Sequence, residues 1–238
     1  MSVLPINTNP VLQPVGYKRW LVAGVLFIAV LSAFFDRINV AVLFSNKDFQ
    51  TVLGVGNNPA LLGLLMTGFL FAYGLSGLCL SFIGDTFLGP RKSLVLLTVV
   101  WAVFMMVMGL SSSYVMMLFL RILLGISEGP QFSLSAKFTK RWFPDSEQGR
   151  ANAIWAIGSP VGSAIGFPFI IFIDAVFGWR ATFFILAAVS LFIVLPLVIC
   201  FVRDRPEDEK GLSKGELEYI KKGQNNNKAF TGNLMDSI

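Results

Sequence analysis

The sequence contains no histidine, so imidazole is absent as a metal ligand, a proton shuttle or part of a hydrolytic triad. Cysteine occurs only twice, as Cys79 and Cys200. Both fall in apolar runs, which excludes a disulfide framework or a CxxC metal site and reads them as small buried hydrophobes. Charge is also scarce: 14% of residues are charged, against about a quarter in a soluble domain. The net charge is +5, yet the basic residues flank apolar stretches, which is a membrane pattern and not one for nucleic acid. Nothing in this composition points to a soluble enzyme or calls for a cofactor.

Hydrophobic residues fill 55% of the chain. Six runs approach the roughly 20 residues needed to cross about 30 Å of hydrocarbon. They cover about 20–44, 59–83, 93–110, 115–136, 151–173 and 181–202. The first is too long for a signal peptide and shows no small-residue cleavage site. The sequence thus divides into a tail over 1–18, a six-helix bundle over 19–202 and a polar tail over 203–238. Within the second tail, "SKGELEYIKKG" predicts a short surface helix, with Ser213 as N-cap and Glu216 three residues on. The stretch from "QNNNK" onward reads as disordered.

Lys and Arg set an orientation. Lys18 and Arg19, Arg91 and Lys92, the 137–150 loop and the second tail carry nearly all of them, and the other side keeps Lys47 and Arg180. Both termini are therefore expected in the cytoplasm.

Four charges stay inside the runs: Asp36, Arg37, Arg121 and Glu128. Each costs about 2.5–3.5 kcal/mol near a helix centre when unpaired. The first run leads outward and the fourth inward, which puts Asp36 and Arg121 at similar depth, so Asp36 is expected to meet Arg121. Glu128 follows about 10 Å deeper on the same face, within reach of Arg37 or Arg121. Such a ladder can latch helices together or line a path for ions and protons. A carboxylate that trades an arginine contact for a proton is a switch. Gly125, Gly129 and Pro130 beside Glu128 either open a cavity or allow close helix packing.

These residues carry a resemblance. "FFDRINVAV" (first run), "RILLGISEGP" (fourth run), "RWFPDSEQGRANAIW", "GWRATFFILA" and "DRPEDEKGLS" together resemble the anion:cation symporter family of the major facilitator superfamily. The resemblance implies an all-α membrane protein whose six transmembrane helices resemble the N-terminal bundle of that fold. It implies transport of an organic anion, a sugar acid or other carboxylate, coupled to protons, in a bacterial inner membrane. Asp36 and Glu128 would then be the protonation sites, Arg37 would face the substrate carboxylate, and Arg121 would be the charge partner. Tyr73 stands where the family places a substrate-contacting aromatic, with an interfacial or packing role as its alternative. Asn39 either bonds in the same cavity or pairs with a backbone carbonyl. "GDTFLGPRKS" resembles the cytoplasmic gating motif, with Asp85, Arg91 and Lys92 as its members. Thr86 replaces a usual basic residue, and one extra residue separates Asp85 from Gly89. "GSPVGSAIG" is similar to a Gly–Pro bend, and a kinked packing face is its simpler reading.

The sequence supplies one bundle where such carriers have two. Three expectations stay open: a truncated or split carrier, a chain that works with a separate carboxy-terminal half or a second copy, and a non-transporting sensor or scaffold.

Overall fold

A computed structural model describes residues 16–56, 58–82 and 88–235, with side chains through residue 224. Among the described residues there are helices and turns but no strand. The first span is α1 (Lys18–Leu43), followed by a short α2 (Lys47–Leu53) and the second span α3 (Pro59–Cys79). The third span is α4 (Gly89–Gly109). The fourth is divided into α5 (Tyr114–Glu128) and α6 (Gln131–Trp142), and the fifth into α7 (Asp145–Ala156) and α8 (Gly158–Phe177). The sixth comprises α9 (Trp179–Val189), a π-helical turn (Ser190–Val194) and α10 (Leu195–Phe201). A 3-10 turn (Pro206–Asp208) leads to α11 (Lys214–Met235), which extends past the short helix expected there.

Local chemistry sets the boundaries. Asn58 Oδ1 accepts from the Ala60 and Leu61 amides, and Pro59 opens α3 where its missing N–H costs nothing. Asn46 Oδ1 accepts from the Phe49 amide to cap α2, and Gly54 ends it at φ +68°. The third span begins at Gly89, earlier than expected, because Pro90 suits a first turn and Asp204 Oδ1 accepts from the Arg91 amide at 2.8 Å. In the sixth span Pro196 lacks an N–H to donate, and the π-helical turn immediately before it absorbs the break.

Helices in lipid gain little from hydrophobic association, so close packing at small residues holds the bundle. On α5, a Cβ at Gly125 would lie 2.5 Å from the Phe69 carbonyl of α3, and one at Gly129 equally close to the Tyr73 carbonyl. Ser76 Oγ also donates to the Gly125 carbonyl at 3.2 Å. On α8, Gly158 and Gly162 sit 2.8 and 3.0 Å, by the same measure, from the Phe27 and Leu31 carbonyls of α1. Both glycine motifs are therefore packing seams.

One apolar core gathers Phe49, Leu65, Trp101, Met105 and Phe183 towards the α2 end. A second gathers Val22, Leu26, Leu134, Phe138 and Trp142 towards the α11 end. The outer surface is apolar too, with Phe71, Leu78, Val115 and Phe192 well exposed. All six spans are long and apolar enough to cross a membrane, and this outer surface suits lipid. Cys79 and Cys200, expected inside, are exposed. An apolar neighbourhood in a membrane helix does not imply burial in protein, because the lipid-facing side is apolar as well.

The α11 end is tied by charge. Arg19 is fully buried, and its Nε lies 2.8 Å from Glu147 Oε2 and its Nη1 2.9 Å from Glu216 Oε1. Its amide also donates to Glu216, and Tyr219 donates to Glu147. Ser213 Oγ accepts from the Glu216 amide as the capping pattern predicts, while the Glu216 carboxylate turns to Arg19. Gln224 Nε2 donates to the carbonyls of Lys140, Arg141 and Phe143. Helix α11 is thereby fastened to the ends of α1, α6 and α7.

Candidate functional site

The four interior charges converge where α1, α3 and α5 meet. Asp36, Asn39, Arg121 and Glu128 are each 0% exposed. Hydrocarbon and close-packed protein shut these side chains off from bulk solvent, so each must find a partner in the protein or an internal water, or bear the cost.

Arg37 lies among aromatic rings. Its guanidinium carbon is 4.4 Å from the Phe34 centroid, 4.3 Å from Tyr73 and 5.4 Å from Phe69. Phe69 and Tyr73 stack on one another at 5.9 Å. Faces of aromatic rings attract a cation but accept no strong hydrogen bond, and Arg37 Nε is buried without a partner. Tyr73 packs on Phe69 and faces the Arg37 guanidinium, so of its two expected roles the packing one is observed.

Arg121 turns towards α3. Its Nε donates to the Leu65 carbonyl at 3.4 Å, and its guanidinium carbon stands 4.4 Å from the Phe69 centroid. Its Nη1 donates to the Asp36 main-chain carbonyl at 3.4 Å. Asp36 and Arg121 therefore meet, but through the backbone. No ion pair joins Asp36 or Glu128 to Arg37 or Arg121 among the described residues. The expected carboxylate contact fails because matched depth fixes only the axial coordinate, and α3 presents the nearer carbonyl and ring.

Both carboxylates are left without hydrogen-bond partners, as are the two side-chain polar atoms of Asn39. Pairing of Asn39 with a backbone carbonyl is thus not observed. Glu128 lies within electrostatic range of Arg37 and Arg121, and Asp36 of Glu128 and Arg121. Two acids and two bases cluster there without an ion pair among the described residues. Such a cluster can bind an anion at Arg37, whose Nε is unpartnered, and bind protons at the acids.

At the α11 end, Arg91 Nη2 donates to the Ile199 carbonyl and Lys92 is exposed. Asp85 lies outside the described residues. Asp204, which the sequence reading missed, caps α4 and approaches Gly89 (φ +75°). Two further residues escaped notice: Gln131 and Ser135 are buried with unpartnered polar atoms. Their spacing of three and seven residues from Glu128 was the available signal.

The profile of the Major Facilitator Superfamily matches residues 26–232. The chain belongs to that superfamily. It is similar to the "Probable sulfoacetate transporter SauU" of Cupriavidus necator, with 31% identity over 85% of this chain and 46% of that protein. It is 28% identical to the D-galactonate transporter of Escherichia coli O6:H1 over 92% of this chain and 49% of the relative. Among solved structures, a bacterial homolog to the human lysosomal transporter Spinster, inward-facing and occupied, superposes with a TM-score of 0.69. That match is 21% identical and covers 80% of this chain and 46% of the other, so it bears on the fold alone. This superfamily member is a multi-pass membrane protein with the six-helix bundle expected from its sequence. It spans about half the length of the curated relatives it matches.

Proposed function

We propose that this chain forms the amino-terminal half of a carrier for an organic anion, a sugar acid or similar carboxylate, coupled to protons. The observation that carries the reading is the Arg37 guanidinium held between Phe34 and Tyr73 with an unpartnered nitrogen, beside two partnerless buried carboxylates. A half-buried cation inside a membrane span, with its Nε unpartnered, is expensive, and an anionic ligand supplies the acceptor it lacks. Arg37 takes the ligand's carboxylate, Tyr73 flanks it, and the free Asn39 amide is a further contact. Asp36 and Glu128 take protons, which removes their repulsion of the incoming anion and links the two fluxes. Arg121 is the charge partner that steadies whichever acid is ionised.

The names of relatives support the ligand class: sulfoacetate, D-galactonate, galactarate and D-glucarate each carry a carboxylate. The basic α11 end faces the cytoplasm in this reading, with Arg91, Lys92 and Asp85 forming the gate there and a bacterial inner membrane as the location. The opposite wall of the cavity comes from a carboxy-terminal half or a second copy.

Binding to the chain in lipid nanodiscs tests this. D-galactonate and sulfoacetate bind while neutral galactose does not, and Arg37→Lys weakens binding at least tenfold because the planar fork is lost. Equal binding of galactose, or anion binding indifferent to Arg37, contradicts the proposal.

A further inference from the structure

The fourth span carries a polar strip that continues past the anion site. Arg121, Glu128, Gln131, Ser135 and Thr139 fall within about 80° of one another at 100° per residue. Glu128 and Thr139 are separated by about 16 Å along the axis. The backbone stays right-handed through Gly129 (φ −52°, ψ −43°) and Pro130 (φ −70°, ψ −11°), so the strip continues from α5 into α6.

Gln131 and Ser135 are each 1% exposed. Gln131 Nε2, Ser135 Oγ and both Glu128 carboxylate oxygens have no hydrogen-bond partner in the protein. A buried polar atom left unsatisfied costs about 1–3 kcal/mol, and native proteins usually meet that need with ordered water. Four such atoms lie on one strip, whereas Leu134 and Phe138 on the same helix bury into the apolar core. Below the strip, Thr139 Oγ1 donates to the Ser135 carbonyl at 3.2 Å and accepts from Trp155 Nε1 at 3.1 Å. Trp155 Nε1 also lies 3.0 Å from Oδ1 of Asn152, a half-buried residue of α7. The strip therefore ends at an indole ring, with a polar residue beyond it.

We propose that Glu128, Gln131 and Ser135 hold a file of water within the six-helix bundle, closed by Trp155, through which Glu128 exchanges protons with the α11 side. The Glu128 O–H bond breaks as the first water gains the proton, and each water then passes one on. The Ser135 hydroxyl accepts one proton and releases another. The Gln131 amide orients water but relays nothing. Asp36, Arg37, Arg121 and Tyr73 are the charged and titratable groups within electrostatic range of Glu128. The use of the file for protons rests on the coupling reading above, whereas its hydration does not.

Water-edited solid-state NMR on the unaltered chain in bilayers tests the hydration. The Gln131 side-chain amide gains magnetisation from water at least fivefold faster than the Trp101 indole N–H, which is buried, unpartnered and in the apolar core. Equal, slow build-up at both overturns the proposal. Infrared hydrogen–deuterium exchange of the Glu128 carboxyl tests the proton route. Gln131→Leu slows that exchange at least tenfold, and an unchanged rate overturns the route. Neither measurement needs an anion, so loss of anion binding leaves both results standing.

Discussion

Replacing Arg19 with glutamine probes how firmly charge fastens the second tail. The guanidinium is buried and bonded to Glu147, Glu216 and the Gly16 carbonyl. Glu216 has a side-chain exposure of 1%, against 13% for Glu147, so Glu216 bears most of the loss. Removing one partner of a buried pair costs about 3–5 kcal/mol. At roughly 2–4 °C per kcal/mol for a chain of this length, a global transition falls by about 6–20 °C. The bundle can avoid that cost by releasing α11, and 3 kcal/mol then raises the open population on the order of 100-fold. Trypsin cleavage at Lys214, Lys221 and Lys222, followed in detergent alongside thermal unfolding, separates the two responses. Arg19→Gln combined with Glu216→Gln removes both charges and recovers much of the loss. If Arg19→Gln changes neither the melting temperature nor the cleavage rate, the buried network does not hold the tail.

The helix seams make a second prediction. Gly125→Ala pushes a methyl against the Phe69 carbonyl and lowers stability by about 1–3 kcal/mol in thermal unfolding. Gly63→Ala meets nothing within 4 Å, so it leaves stability unchanged or raises it by up to about 1 kcal/mol. The segment before α11 responds to acid. The Lys18 hydrogen bond holds the Glu209 carboxyl below its ordinary range, and a backbone hydrogen bond, then Lys221, does the same for Glu207. Depressed acids stabilise the fold above their unfolded pKa, about 4.3, and the benefit disappears as pH falls through the folded values. Hydrogen exchange at Glu209 and Gly211, corrected for intrinsic rates, therefore accelerates below about pH 4, and Lys18→Met weakens that dependence.

The six spans were readable because a membrane demands long apolar runs and little else imitates them. The interior charges were readable for the converse reason: hydrocarbon makes Asp36, Arg37, Arg121 and Glu128 conspicuous. Their partners were less so. Depth arithmetic brought Asp36 and Arg121 together correctly, but it gave no azimuth or rotamer, and so missed that Arg121 bonds to the carbonyls of Leu65 and Asp36. Arg19 looked like an ordinary flanking charge because its partner Glu216 lies 197 residues away. Gln131 and Ser135 escaped because neutral polar residues barely disturb an apolar run, and only their phase with Glu128 distinguishes them.

The proposed coupling through Glu128 is best tested by transport of D-galactonate or sulfoacetate in proteoliposomes, comparing counterflow with accumulation driven by a proton gradient. Glu128→Gln should leave counterflow intact and abolish gradient-driven accumulation. Accumulation that survives this substitution, or wild-type flux indifferent to the gradient, would contradict the assignment.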